Sequence, residues 1–431
     1  MKIKFIIFRT FLSAAIILSF SFCLLTVSIA KSDVTLTQQL PYKVTLAIMP
    51  MENLTKNPEL DWLSAGIPES LISKLQNVRL LRMVERIRIK DVLKEISLGQ
   101  TGLVSADTAK EAGKMLGADT VLSGSFAEFH GSLQIQARMV NVASAQIIGA
   151  VEANGRLNRI FQLQDRLAEK IIHRLGIDTE EDEKARLQQV STRSMEAYEY
   201  YVRGRDYYFE HNREGYEKAV ELYREAIEQD TTFALAYAGI ASSLATLAYS
   251  RKKEGESYRS LFKEGRQAAQ TAIELNPNSS DTHRSLAHVY LNQRKFSDAR
   301  REITKALGIN PNDAESWYIL AQTATAIPDL DKAQRYYENA IRLNPDYAMA
   351  HNNLGWYVFL KKKWYDKAIA SFERAIQISP DFTEAYDSLG EAYFRLGNYE
   401  KACRNFKKAL ELQPNHKNAA RQYKRCLKKL K

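Results

Sequence analysis

Cysteine is scarce in this chain, with three among 431 residues. Cys23 lies in a stretch from Thr10 to Ala30 that holds no charge, and beyond it only Cys403 and Cys426 remain. Two thiols are too few for the disulfide framework on which small secreted domains depend. Each sits in a helical apolar pattern, which reads as burial of a small hydrophobe, with one bridge between two carboxyl-terminal helices as the alternative. Chemical signatures are missing as well. The sequence holds no phosphate loop, nucleophile elbow, paired zinc histidines or dinucleotide glycine fingerprint, so the enzyme classes built on them are excluded. Glu52, Asp61 and Glu69 lie near one another but read as solvent-facing charges on a loop and a helix. Neither catalysis nor a cofactor or metal is expected. Low complexity is absent too, with 19 glycines, 10 prolines and 45% hydrophobic residues, the make-up of a globular chain long enough for two or three domains.

A diffuse basic surface is the next absence. The net charge is +10, but Lys2, Lys4 and Arg9 supply +3. Lys417, Arg421, Lys424, Arg425, Lys428, Lys429 and Lys431 supply +7, so the residues between net zero (10 − 3 − 7 = 0). Nucleic acid is therefore not an expected partner. The basic start, the uncharged run and the small residues Ser28-Ile29-Ala30 predict a secretory signal over residues 1–30, cleaved after Ala30. An uncleaved anchor is the alternative, since about 20 apolar residues can cross a bilayer. Phe22 stands before Cys23 where a lipidation signal needs a small residue, so lipidation is not expected. In either case the rest of the chain is exported, periplasmic or membrane-tethered.

What the sequence has in abundance is self-similarity. Residues 280–416 fall into four rows of 34 with one inserted residue, the signature of a helical repeat array. Small residues recur at the eighth place (Ala287, Ala321, Gly355, Gly390), the twentieth (Ala299, Ala333, Ala368, Ala402) and the twenty-seventh (Ala306, Ala340, Ala375, Ala409). Paired helices approach closely only through such residues, while Leu286, Leu320, Leu354 and Leu389 fill the space beside them. Pro311, Pro345, Pro380 and Pro414 stop each second helix. Two divergent rows come first, with Ala241, Gly265 and Ala272 in one and Gly204, Ala219 and Ala226 in the other. They carry about three extra residues near His211–Glu214 and about twelve between Leu244 and Phe262, expected as protruding loops. Ala419, Ala420, Tyr423, Leu427 and Leu430 then mark a helix that covers the last apolar face, with its cations on the other side.

Residues 197–416 thus resemble the tetratricopeptide repeat family. The resemblance implies that the first helix of each pair lines a concave groove and that ligands are touched from its second, fifth, ninth, twelfth and thirteenth places. Those places hold Tyr198, Tyr201, Arg205, Tyr208 and Phe209, then Arg284, Tyr318, Asn352, Trp356, Phe359 and Arg395. Aromatic and arginine side chains have the composition of binding hot spots, so an extended or helical peptide of a partner protein is the expected ligand. Asn352 and Asn353 lack the lysines with which the chaperone-binding subgroup clamps a terminal carboxylate. His283 and His351 share the fourth place with Tyr237, Trp317 and Tyr386, which reads as core packing rather than metal binding. His288 falls on the groove side without an evident ligand partner. Contact of the basic terminal helix with anionic lipid, and self-association, are further partners that the pattern allows.

Residues 42–177 read as a small α/β domain. Strands are expected at Lys43–Met49, Val78–Val84, Thr120–Phe126 and through Leu133–Met139, with a hairpin at Ala143-Ser144-Ala145 returning along Ile147–Val151. Helices are expected from near Pro68, over Arg88–Ile96, over Ser105–Leu116, and along the stripe Phe161, Leu167, Ala168, Ile171, Ile172 and Leu175. The stretches Ala47–Asn53, Met83–Arg86, Leu116–Asp119 and Leu163–Asp165 resemble the domain shared by curli-transport (CsgG-like) proteins and the TolB amino-terminal region. That resemblance implies contacts in envelope assembly or transport. The hairpin reads as too short for a membrane-spanning stave of about ten residues per strand.

The expected fold is α+β and predominantly α: a three-layer-type α/β domain, a linker over 178–196, an α-solenoid of about six helix pairs, and a capping helix over 417–431. The expected function is a non-catalytic envelope scaffold that binds proteins through the concave groove. A component of an oligomeric secretion or transport complex is the alternative.

Overall fold

A computed structural model of the chain describes residues 43–430 apart from 56, 85, 96–104, 190 and 327–328. The segment expected to direct export, Cys23 and the end of the helix expected at Ile96 lie outside these residues. Strands β1 (Val44–Asn53), β2 (Leu81–Met83), β3 (Thr120–Phe129), β4 (Ser132–Asn141) and β5 (Ile147–Arg156) form one sheet in the order β2-β1-β3-β4-β5. β1 runs parallel to β2 and β3, and β3, β4 and β5 are antiparallel. Helices α1 (Leu63–Leu75) and α4 (Ile160–Arg174) cover one face; α2 (Arg86–Glu95) and α3 (Ala106–Leu116) cover the other. β1 is apolar on both faces because both are buried: Leu46 and Ile48 face α1 and α4, Ala47 and Met49 face α2 and α3. β4 alternates as its sequence does, with Leu133, Ile135, Ala137 and Met139 in the core while Gln134 and Gln136 are exposed.

Local chemistry sets most of the helix ends. The Ser105 hydroxyl accepts from the Thr108 amide at the start of α3, and Gly117, at φ +60°, ends it. Pro68 departs from expectation, lying in the interior of α1 rather than in its first turn. Burial of Leu63 and Ile67 against the sheet draws the helix back to Leu63, so tertiary packing outweighs the lost backbone hydrogen bond. The hairpin is also longer than expected, with ten residues in each of β4 and β5. Length therefore does not distinguish it from a spanning stave; what occupies it is packing, since Val151 and Ala153 join the β4 residues in the core under α1 and α4. The charged stretch after α4 contains helix α5 (Glu181–Leu187), opened by a capping box between Glu180 and Glu183. Its Leu187 is buried in the α/β core.

The solenoid follows as pairs α6 (Met195–Tyr208) with α7 (Arg213–Gln229), α8 (Ala234–Glu254) with α9 (Arg259–Leu275), α10 (Ser280–Asn292) with α11 (Phe296–Ile309) and α12 (Ala314–Ala326) with α13 (Leu330–Leu343). Then come α14 (Ala348–Leu354) with α15 (Tyr365–Ile378), α16 (Thr383–Arg395) with α17 (Tyr399–Leu412), and the cap α18 (Lys417–Leu430). The twelve-residue insertion is helical rather than a loop, because α8 continues to 21 residues before Gly255 ends it. The single inserted residue is absorbed as a π turn, Gly355–Phe359, closed by the Leu360 amide on the Gly355 carbonyl at 2.9 Å.

Small residues stand where helices meet rings. A Cβ on Gly355 would come within 2.6 Å of the Phe372 ring, and one on Gly390 within 2.7 Å of Phe406. The fourth-place rings also share one task. His283, Trp317, His351 and Tyr386 each bond the carbonyl of the proline six residues earlier (Pro277, Pro311, Pro345, Pro380) at 3.0, 2.8, 2.9 and 3.2 Å. Each such bond fixes the turn between successive repeats, which satisfies a carbonyl that a helix end leaves open. His283 further meets Glu302 at 2.9 Å. Among the described residues no group of three His, Cys, Asp or Glu side chains is placed to hold a metal.

Of the two readings of the cysteines, the bridge is the one formed. Cys403 on α17 and Cys426 on α18 are joined as a disulfide, with Cα atoms 5.6 Å apart, and both remain buried.

Two outcomes follow. Gly390→Ala should lower unfolding stability by up to about 2 kcal/mol, because overpacking costs ~1–3 kcal/mol and helix propensity returns ~1 kcal/mol; adding Phe406→Leu should recover part of it in the same denaturation measurement. Cys426→Ser should strip hydrogen-exchange protection from α18, since closing a loop of this size is worth about 3 kcal/mol, while α6–α9 keep theirs.

Candidate functional site

The chain's own α/β domain lines one rim of the solenoid, bonded to α6, to the start of α10, and to the turns that enter α12 and α14. The Tyr198 hydroxyl donates to the Gly66 carbonyl of α1 at 2.9 Å, and the rings of Trp62 and Phe161 lie 6.0 and 5.5 Å from the Tyr198 ring. Next along α1, Glu69 meets Arg205 at 3.0 Å and Arg86 at 3.5 Å, and Arg86 reaches Asp206 at 2.8 Å. Glu69, expected to face solvent, is only 5% exposed, since the solenoid supplies the cation that a buried carboxylate requires.

Further along the rim the contacts become polar. Gln76 donates to Asp281 at 3.0 Å. Asn312 donates to the carbonyls of Arg79 and Leu81 at 2.7 and 2.9 Å. Arg82 donates to the carbonyls of Arg342 and Leu343, both at 3.0 Å, and Arg88 pairs with Asp346, which also holds Arg374. These residues escaped the sequence reading. Their one signal there is four arginines within ten residues, Arg79, Arg82, Arg86 and Arg88, matched by a polar residue after the closing prolines, Asn312 and Asp346.

The residues expected to line the groove divide accordingly. Tyr198, Tyr201 and Arg205 are engaged within the chain. Tyr201 is buried 5.1 Å from the Phe233 ring, and burial pushes the pKa of the Tyr198 and Tyr201 hydroxyls above the usual range, so both stay protonated. Burial works against the charge of Arg205, but Glu69, together with Tyr201, Tyr223 and Asp281, more than offsets it. Tyr208 and Phe209 are half-buried, with Tyr208 5.5 Å from Tyr216 and the Arg205 guanidinium 4.6 Å above Phe209. Arg284 is taken up by Asp281, Asp313 and Glu315 at 2.6, 2.7 and 3.4 Å. Phe359 is buried 6.0 Å from Trp364. His288, on the same side, is held neutral by burial, which lowers its ionisation.

An open part remains in the later repeats. Tyr318 is buried to its hydroxyl, which accepts from Asn353 at 2.8 Å and Gln322 at 3.1 Å. Asn352 is buried with its Oδ1 lacking a partner among the described residues, as do one oxygen each of Asp387 and Glu391. Burial raises Asp387. Trp356 is half-exposed, and Arg395 is exposed and bonds Glu391 at 2.8 Å.

A helical-repeat solenoid with a concave, aromatic and polar face is the class these features define. The chain is a tetratricopeptide-repeat protein with a CsgG-like amino-terminal domain. Tetratricopeptide repeat families match residues 261–323, 314–347, 357–397 and 383–416, and the curli production assembly/transport component CsgG family matches residues 29–134. The chain is 24% identical over 261 residues to the putative adenylate cyclase 3 of Rhizobium meliloti (strain 1021), covering 61% of this chain and 42% of that protein; it thus spans about two fifths of that relative's length. Among solved structures it is similar to MamA, at 31% identity over 38% of this chain and 93% of that one with a TM-score of 0.32. YrrB, described as a TPR protein with an unusual peptide-binding site, matches at 21% identity over 48% and 99% with a TM-score of 0.33. The repeats are a protein-interaction scaffold, and among the described residues no helix is long and apolar enough to cross a membrane.

Glu69→Ala should cost about 2–4 kcal/mol, because removing one partner leaves the Arg205 charge without its carboxylate and Arg86 with Asp206 alone. It should also raise hydrogen exchange selectively over residues 63–75. Equal exchange in parent and variant would mean that the ion pairs do not hold the domain to the rim.

Proposed function

We propose that this protein is an exported, non-catalytic envelope scaffold that holds a segment of a partner protein on the open part of its concave surface. The observation that carries this reading is the division of that surface. The first repeat is engaged by the chain's own α/β domain, while the face around Asn352, Trp356 and Arg395 presents a half-exposed indole ring and an exposed guanidinium, side-chain types that dominate binding hot spots. Export accords with the amino-terminal sequence and with the disulfide, a bond that persists in oxidising compartments.

A second reading, a component of an oligomeric secretion or transport complex, is favoured by the CsgG match over residues 29–134. A ring of many copies by native mass measurement supports it, and a monomer or dimer supports the scaffold.

The scaffold is tested by crosslinking in intact cells. Asn352→Ala combined with Trp356→Ala should reduce the captured partner by about tenfold, the loss expected of one hot-spot pair, with helix content by circular dichroism unchanged. Capture at the parent level would overturn the groove reading.

A further inference from the structure

The helix α18 carries more than a cap needs. Its inner face covers the last apolar surface, with Ala419 and Cys426 buried and Tyr423 packed against the cluster of Phe394, Phe406 and Cys426. Away from that face stand Lys417, Arg421, Lys424, Arg425, Lys428 and Lys429, all exposed. The helix holds no acid, whereas every other solenoid helix with a lysine or arginine holds at least one. Four pairs of like charge stand one turn apart: Lys417 with Arg421, Arg421 with Arg425, Lys424 with Lys428, and Arg425 with Lys429. Such pairs weaken a helix, and Lys417 lies in the first turn, where the helix dipole disfavours a cation. A cap needs a polar outer face, which mixed charges would supply without this cost.

Acids of the neighbouring helices do not neutralise the run. Asp387 accepts from Asn418 at 2.6 Å, Glu391 meets Arg395 at 2.8 Å, and Glu411 lies 3.8 Å from both Lys407 and Lys408. Glu384 and Glu400 occupy the first turns of α16 and α17, the place where a helix dipole favours an acid. Exposed apolar side chains accompany the cations. Leu427 is 40% exposed, with Lys424 one turn before it and Lys428 next to it, and Leu430 is 47% exposed at the end of the helix. Contacts between elements fix this end in place. The Arg425 guanidinium lies 4.3 Å from the ring centre of Phe394, the Cys426 sulfur lies 3.0 Å from the Tyr399 carbonyl oxygen, and the disulfide ties Cys426 to Cys403. The turn so held carries Leu396, 47% exposed. Cations alone suit any acidic partner, but leucines standing among them suit a surface with anionic groups outermost and hydrocarbon just beneath.

We infer that α18 docks the solenoid on the surface of an anionic phospholipid bilayer. Its lysines and arginines meet the phosphate groups, and Leu427 and Leu430 enter the boundary between headgroups and acyl chains. The helix is folded and covalently held before it meets the lipid, so no ordering cost opposes the contact. This surface is separate from the concave one, and neither depends on the other.

The test uses the full chain with vesicles of phosphatidylcholine, alone or mixed with phosphatidylglycerol. It reads the sedimented protein and, by mass spectrometry, the acetylation of individual lysines. Phosphatidylglycerol should draw more protein down, less so as salt rises, and should shield Lys424, Lys428 and Lys429 while the exposed Lys263 of α9 stays reactive. Local shielding separates α18 from residues 1–30, whose cations and apolar run are a second source of lipid binding. Lys424→Gln, Lys428→Gln and Lys429→Gln together should weaken binding to the mixed vesicles about tenfold or more, since each basic residue near an anionic surface is worth roughly fivefold. Leu427→Gln with Leu430→Gln should weaken it about fivefold, the scale of losing two partly buried apolar side chains, at unchanged salt dependence. All six positions changed or footprinted are exposed, so helix content by circular dichroism should match the parent. Equal acetylation of the α18 lysines on both vesicle types, parent-level binding by the triple variant, or stronger shielding by a Glu–Tyr copolymer than by the mixed vesicles would each overturn the inference, the last in favour of an acidic protein.

Discussion

The architecture depends on one constraint: two helices can lie flat against each other only where one offers a hydrogen or a methyl to the other's ring. Gly355 against Phe372 and Gly390 against Phe406 are that contact in its tightest form, and the alanines at the twentieth and twenty-seventh places repeat it more loosely. Because close packing leaves no room for a larger side chain, the spacing of small residues fixes how pairs stack. Stacking brings the closing proline of one repeat under the fourth-place ring of the next. The four ring-to-carbonyl bonds then hold a repeated angle between pairs, and a repeated angle is what bends the stack and makes one side concave.

The repeats were legible because their determinants are local and periodic. Helix pairs, turns and cap could be placed from residues a few positions apart, and the same holds for the Ser105 cap, the Gly117 stop and the alternation of β4. What the sequence did not reveal depends on partners far along the chain. Pro68 looks like a first-turn residue until Leu63 is seen to be buried against a sheet that forms around it. The segment after Leu244 is too long for the period, which marks an insertion but not its conformation, and helix propensity continued it as α8. The single extra residue near Gly355 was counted correctly, yet only backbone geometry shows it as a π turn. Glu69 is the plainest case, since its burial is set by Arg205, 136 positions away, and nothing in its neighbourhood announces it.

The same distinction governs the site. Place numbers within a repeat, carried over from the family, name candidate side chains for the concavity but say nothing of what already engages them. Tyr198, Tyr201 and Arg205 have the composition of a binding surface and are one, with a helix of the same chain as the bound element. Arg284 is saturated by three carboxylates. The half-exposed Trp356 and the exposed Arg395 both fall in the later repeats.

In a linear array each unit leans only on its neighbours, so disorder normally starts at the ends and creeps inward. Here both ends are fastened, the first pair by the α/β domain through Glu69 and Tyr198, the last by the covalent link between α17 and α18. Fraying is thereby suppressed at the extremities, and the bonds of Gln76, Arg79, Arg82 and Arg88 tie the pairs in between as far as Asp346. The spring-like give of the superhelix is thus left to the short stretch past Asp346, between the last of these bonds and the covalent link.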